Sequence, residues 1–420
     1  MKRRPRVLIV TTINWAATAQ LGLGLTSKRF EVATVAPADH GIRKVGAINV
    51  HYRSISYSAK PSFIEWAIER WQPDIVIPCD DIATCRLHAL HSRAVRGDGH
   101  DPGTIKAIIE SSLGNPTSYS IAEKKSDFMA FAKGQKLLVP ETVVIQNVKD
   151  LAERLDAAVF PLVLKLDSTS SGLGVRIVRN KDEAQSAYHE LVSMFGWLRA
   201  SKRAIKELGL GPLMHRWKES IPRITLQRFI GGVPASSAVL CWNGEVVAGI
   251  SVEAIKTIHA TGPATVVRIL DNAEIVEVTR HVVEHLGLSG FVGFDFILDE
   301  TSGRPFLIEM NPRPTPISHL SLGIETDLVG ALLMKLTATK PTKPQMESAP
   351  GKIIALFPGE FWRDPKSDYL LSCHHDAPWD QPELIDEYTR PSSRHSLSWI
   401  GRLIYQMFES LPWASHEHRA

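Results

Sequence analysis

The sequence predicts a parallel α/β domain at the N-terminus, a larger α+β region of mostly antiparallel strands after it, and a small C-terminal extension. Three observations predict this. Between residues 1 and 115, short apolar strands alternate with helical stretches, as in a parallel sheet covered by helices. From about residue 139 onward, strands dominate and few helices interrupt them. Phe291–Asn311 reads FVGFDFILDETSGRPFLIEMN, two runs of period-two apolar alternation around a turn-rich DETSGR, which is an antiparallel hairpin. With 420 residues and 44% hydrophobic content, the chain can bury two or three cores. The expected divisions are 1–115, 116–340 and 341–420, the middle part having one lobe over about 140–230 and another over about 231–340.

In the first part, Val7–Thr12 reads as a buried strand and Ala16–Arg29 as its crossover helix. Glu31–Pro37 is the next strand, Ser62–Trp71 a helix, and Asp74–Pro78 a further strand. Cys79-Asp80-Asp81 then opens a helix that runs through Leu90. Asp80 and Asp81 fall past the carboxyl end of a strand, where functional groups of such sheets collect. Aspartates also cap helix N-termini, and the sequence leaves both readings open. Gly22 and Gly24 lie inside the first crossover, not directly after the strand, so they do not form a dinucleotide fingerprint.

The middle part begins with an amphipathic helix over Ile121–Lys133 and a strand over Val139–Ile145. Phe160–Arg179 gives a strand, a loop rich in Ser, Thr and Gly, and a second strand. A basic helical stretch follows over about 181–218, in which Lys202, Arg203, Lys206, His215, Arg216 and Lys218 form either a solvated face or a cover for an anion. Strands resume at Ile224–Ile230, Ala238–Trp242, Val246–Val252 and Thr265–Leu270, and the helix Ala273–Leu286 leads into the hairpin. After a Pro- and Lys-containing linker, Lys352–Phe357 reads as a strand, and Leu397–Leu411 as an amphipathic helix suited to docking on protein.

The hairpin carries the chemistry. If it is symmetric about Ser302, Phe294, Phe296 and Leu298 lie opposite Met310, Ile308 and Phe306 on one apolar face. The other face then sets Gly293 against Asn311 and Asp295 against Glu309. Carboxylates directly opposed across strands stand about 5 Å apart and repel. A hard divalent cation removes that penalty, and one or two carboxylates plus substrate phosphates is the usual way Mg²⁺ is held. Upstream, Lys165 ends an apolar strand ahead of Asp167–Gly174, which contains Ser170, Ser171 and Gly172. Small hydroxyl and glycine residues let backbone N–H groups close over phosphate oxygens while a lysine supplies a point charge. No GKS or GKT follows and the next element is a strand, so this is not a Walker loop.

The order of Lys165 before a Gly/Ser loop, then Leu226–Ile230, then Asp295 and Glu309-x-Asn311-Pro312-Arg313, resembles the ATP-grasp superfamily over about residues 5–335. The resemblance implies a pre-ATP-grasp α/β domain, a two-lobed ATP-grasp fold, and ATP with Mg²⁺ (Mn²⁺ as a substitute). By it, Asp295, Glu309 and Asn311 hold the metal, Lys165 and Lys125 meet the phosphates, and Gln227, Arg228, Phe229 and Ile230 line the adenine through backbone groups. Lys124 competes with Lys125 for the first lysine, and Arg228 stands where the family usually has Glu. Arg313 is expected to stabilise the transferring phosphoryl group or the acyl phosphate, with Lys256 and Arg268 as further catalytic candidates beside His259. The implied activity joins a carboxylate to an amine through an acyl phosphate; a phosphotransferase or a non-catalytic nucleotide-binding regulator is the alternative.

Composition excludes other classes. A formal charge of +3 is too small to imply nucleic acid. Four cysteines without paired spacing suit neither a zinc site nor a disulfide framework, and they fit a reducing cytoplasm. Cys373-His374-His375 has no partner cluster and reads as structural. Lys2–Arg6 with the apolar run after it imitates a signal peptide, but only Val7–Val10 is continuously apolar and a second strand follows at crossover distance. No stretch reaches the length of a membrane span. Small carboxylate and amine substrates are the expected partners, and a homodimer is compatible with the sequence.

Overall fold

The computed structural model describes residues 3–54, 60–167, 172, 174–205, 223–320, 327–338 and 350–390, with backbone only over 195–205. The basic residues from Lys206 to Lys218 and the stretch Leu397–Leu411 lie outside them. Contacts divide the chain into two units. The first comprises Met1–Ser112, Arg313–Glu347 and Ile353–Ala420; the second comprises Leu113–Pro312 and Ser348–Lys352.

In the first unit four parallel strands, β1 (Arg6–Val10), β2 (Glu31–Pro37), β3 (Val50–Ser54) and β4 (Ile75–Pro78), pair in the order β3-β2-β1-β4. Val7, Leu8, Ile9 and Val10 are fully buried, as a strand covered on both faces requires. Strand β3 and the helix Pro102–Leu113 were not legible as elements, because neither has a clean period. The segment after residue 353 packs into this unit: Tyr388 Oη donates to Asn14 Oδ1 (2.7 Å) and Gln20 Nε2 donates to the Asp376 carbonyl (3.1 Å).

Asp80 is the N-cap of the helix Asp81–Val95, accepting from Ala83 N (2.8 Å). It also accepts from Thr12 N (2.5 Å), Thr12 Oγ1 (2.9 Å) and Thr11 Oγ1 (3.0 Å), and its side chain is wholly buried. One carboxylate thus ties the loop after β1 to the start of the helix after β4. Burial pushes its pKa up, against the pull of these donors.

The second unit holds two antiparallel sheets. In the smaller, β5 (Thr142–Ile145), β6 (Leu162–Leu166), β7 (Val175–Val178) and β8 (Ile224–Arg228) pair in the order β5-β8-β6-β7. The larger contains β9 (Gly232–Trp242), β10 (Glu245–Thr257), β11 (Ala264–Ile269), β12 (Gly290–Asp299) and β13 (Pro305–Asn311), in the order β13-β12-β9-β10-β11. The helix Ala273–Leu286, capped by Asn272, lays Ile275, Val282, Val283 and Leu286 on the core of this sheet.

Two expectations are corrected here. The predicted helix Ile121–Lys133 is two helices, Tyr119–Glu123 and Lys125–Gly134, because Lys124 is extended (φ −127°, ψ 122°). The hairpin is also not symmetric. Gly293 faces Asn311, Phe294 faces Met310 and Asp295 faces Glu309 as expected, but the register shifts between Asp295 and Phe296. Phe296 therefore meets Leu307, not Ile308, and Phe306 meets Ile297. A β-bulge changes which residues alternate inward: Leu307 joins Phe294, Phe296 and Met310 in the core, and Phe306 turns to the face of Asp295.

Candidate active site

The carboxylate face of the hairpin is supported from both sides. Ser236 of β9 lies beside Asp295 in register and donates Oγ to Asp295 Oδ1 (2.7 Å). Asn311 Nδ2 donates to Asp295 Oδ2 (2.9 Å). Opposite Asp295, Glu309 Oε1 lies 2.9 Å from Lys125 Nζ. The break at Lys124 decides which lysine reaches it: Lys125 opens the helix toward Glu309, whereas Lys124 Nζ lies 3.9 Å from Asp127. A cation already sits against the paired acids, as the repulsion between them demands.

Lys165, on β6, lies within electrostatic reach of the same groups. Burial lowers its pKa to about 8; Glu309 and Asp295 pull it up and Lys125 pushes it down. Just beyond the strand, Asp167 accepts from Ser126 Oγ (2.7 Å) and its own pKa is raised, first by burial. Arg223 Nη1 closes the row, 2.5 Å from Asp127 and 3.3 Å from Ser126 Oγ. Two lysines, two opposed carboxylates and an amide side chain therefore converge within one unit.

This pKa gives a pH signature. Where Lys165 meets nucleotide phosphates, as the resemblance implies, they stabilise its charged form, so affinity would be full below the free pKa and fall as pH rises through about 8. Measured by calorimetry between about pH 7 and pH 9, nucleotide affinity should drop up to about tenfold per pH unit above that point. Lys165→Arg, charged throughout, should flatten the profile. An unchanged slope in that variant would remove Lys165 from the phosphate site.

The donor set fits a hard divalent ion. Asp295, Glu309 and Asn311 offer oxygen, and no group of three or more His, Cys, Asp or Glu forms an all-protein cage among the described residues. Two carboxylates with room for substrate oxygens is the arrangement Mg²⁺ accepts; soft-metal sites look different.

Of the loop expected to meet phosphates, Ser170 and Ser171 lie outside the described residues. Gly172 has φ +75°, and a Cβ there would stand 2.2 Å from the Thr261 carbonyl oxygen, so only glycine fits. Gly172 thus abuts the β10–β11 turn at Thr261, near the exposed Lys256 at the end of β10 and the exposed His259. Gln227 is buried, with Nε2 donating to Thr142 Oγ1 (2.8 Å). Arg228 N donates to the Glu141 carbonyl (2.8 Å), so of the Arg228 backbone groups expected at an adenine the N–H is used by the sheet edge. The Arg228 guanidinium lies over the Phe306 ring (5.5 Å), and Phe229 and Ile230 follow the strand end.

Arg268 is not brought to the carboxylates. Its register partner Glu253 faces Ala235, which faces Phe296, so all four share the core-side face of the sheet. Arg268 Nη1 pairs with Glu253 there (2.8 Å). The proposed catalytic role fails on strand parity, which runs across four strands. Arg313 belongs to the first unit. It is buried, with Nε 2.6 Å from Asp81 Oδ1 and its guanidinium 4.8 Å over the Trp15 ring, at the carboxyl ends of β1 and β4.

Ser236, Ser126, Thr261 and Phe306 were missed as site residues. The first three are ordinary polar residues whose neighbours only the folded register reveals. Phe306 was assigned to the wrong face because a bulge leaves no mark in the alternation.

Residues 211–316 match the family model of an ATP-grasp domain. Similar solved structures include N5-carboxyaminoimidazole synthetase from Staphylococcus aureus, at 12% identity and TM-score 0.54, covering 81% of this chain and 79% of that one. The biotin carboxylase domain of Hydrogenobacter thermophilus 2-oxoglutarate carboxylase, solved with MgADP and bicarbonate, is similar at 15% identity and TM-score 0.55, covering 84% and 74%. An L-amino acid ligase from Bacillus licheniformis is similar at 16% identity and TM-score 0.51, covering 82% and 76%. The fold is theirs. Among the described residues no helix is long and apolar enough to cross a membrane.

Proposed function

We propose that this ATP-grasp chain is an ATP- and Mg²⁺-dependent ligase that joins a carboxylate to an amine through an acyl phosphate. The observation that carries the reading is the opposed pair Asp295 and Glu309, held by Ser236, Asn311 and Lys125, with Lys165 in reach. Phosphoryl transfer asks mainly for positioning and charge stabilisation, and this constellation offers both.

Asp295, Glu309 and Asn311 would hold Mg²⁺, which when bound neutralises charge on the phosphate oxygens. Lys165 and Lys125 supply cationic donors to the phosphates, Lys125 leaving Glu309 to do so. Gly172 lets the loop backbone approach the same oxygens. A substrate carboxylate oxygen attacks the γ-phosphorus in line and the bond to ADP breaks. The amine nitrogen then attacks the acyl carbon, phosphate leaves, and the nitrogen gives up a proton. By its place just after Glu309-x-Asn311 in the sequence, Arg313 is the group we assign to the transferring phosphoryl group or the acyl phosphate. The similar structures support small-molecule substrates, and the dimeric biotin carboxylase domain makes a homodimer a reasonable assembly for this chain. Four free cysteines suit a cytoplasmic setting.

The test is ADP and phosphate release from Mg-ATP over a panel of carboxylic acids, each with and without amino acids and amines. Release that requires both partners is expected. A stable phosphorylated product formed without amine would overturn the ligase in favour of a kinase.

A further inference from the structure

The first unit contains a second constellation that the ligase chemistry does not use. A cavity of about 390 Å³ opens past the carboxyl end of β2, lined by Ala38, Asp39, His40, Arg43, Lys44 and Glu387. That volume suits a small molecule at the lower end of ligand pockets. Its walls are fixed. Asn14 Oδ1 accepts from both Gly41 N (3.0 Å) and Tyr388 Oη (2.7 Å), and Trp362 Nε1 donates to the Tyr388 carbonyl (2.8 Å). A Cβ on Gly41 would collide with the Tyr388 ring, so the helix Pro382–Thr389 is seated tightly against the turn and holds Glu387 at the cavity.

The charges in this lining are unusual. Arg43 and Lys44 face the same space as Asp39 and Glu387, yet no ion pair joins any of the four among the described residues. Arg43 Nη1 is buried and meets no acceptor among the described residues. Arg53 adds to the strain: after burial, its charge is what pushes the Arg43 pKa down. His40 contributes no charge, because burial lowers its pKa to about 3 and its Nδ1 accepts from Ile42 N (2.9 Å). A simple anion would be repelled by two carboxylates and a simple amine by two cations.

We propose that this cavity binds a small zwitterion, an α-amino acid whose carboxylate is taken by Arg43 and Lys44 and whose ammonium is taken by Asp39 and Glu387. The site lies within the first unit and needs neither nucleotide nor metal. It is therefore separable from the ligase reading, whether the bound amino acid serves as a substrate or as an effector.

The experiment is a calorimetric titration of the full chain, without nucleotide, with the proteinogenic L-amino acids, their des-amino acids and the matching primary amines. At least one amino acid should saturate the protein, while the analogues lacking either charge bind about tenfold or more weakly. Arg43→Gln and Glu387→Gln should each weaken that amino acid by about tenfold or more, with Lys44→Gln as a milder surface variant and melting curves confirming the fold. The same titration on Glu309→Gln should give wild-type affinity, which keeps this result apart from any failure of the ligase assay. Absence of saturation by every amino acid would overturn the proposal. So would saturation that Arg43→Gln and Glu387→Gln leave unchanged, or an affinity lost in Glu309→Gln.

Discussion

Glu309→Gln should lower turnover by about 10³-fold or more, which is about 4 kcal/mol of transition-state stabilisation. Glutamine keeps the size and one carbonyl oxygen but removes the negative charge that faces Asp295 and meets Lys125 at 2.9 Å. The fold should not suffer. The ion pair lost is a partly exposed one worth about 1 kcal/mol at most, and the repulsion between opposed carboxylates disappears with it. ADP release and a thermal melt, run side by side, read the two effects separately. Near-wild-type turnover in a folded variant would sink the assignment of this face.

Asp80→Ala should act in the opposite way, costing about 3 kcal/mol of stability or more. The carboxylate caps a helix and satisfies three further donors from Thr11 and Thr12, all out of water. Alanine would leave buried N–H and O–H groups unpaired, each at a cost of about 1–3 kcal/mol before relaxation. Urea denaturation monitored by circular dichroism measures it. If stability stayed at the wild-type value and only turnover fell, Asp80 would be a chemical group and not a structural one.

The contrast between these two acids shows how far sequence alone reaches. Asp295 and Glu309 could be paired from a chain segment of two dozen residues because the apolar alternation on either side of one turn sets their register. The same logic failed a few residues further along, where the bulge at Ile308 reversed the alternation without any glycine or proline to announce it. Arg268 failed for a different reason. Its face depends on register carried through β10, β9 and β12, and no local pattern encodes that sum. Lys125 was favoured over Lys124 only by resemblance, because the local choice rests on one extended residue inside an otherwise helical pattern. Asp80 was ambiguous because its decisive donors, Thr11 and Thr12, are nearly seventy positions away. The cavity beside Glu387 was out of reach altogether, since Asn14 and Tyr388 stand 374 positions apart in the chain.

That last separation has a consequence for how the protein is made. The first unit is assembled from three stretches, and the second is interposed almost whole between them. On a ribosome the nascent parallel sheet emerges first, but its turns at Asn14 and Gly41 gain their partner only once Tyr388 has been synthesised. The later-emerging unit can close its sheets sooner, since Leu113–Pro312 is nearly all it needs. The order of completion is then the reverse of the order of birth. During that interval the Asn14 and Gly41 backbone turn is without its Tyr388 partner.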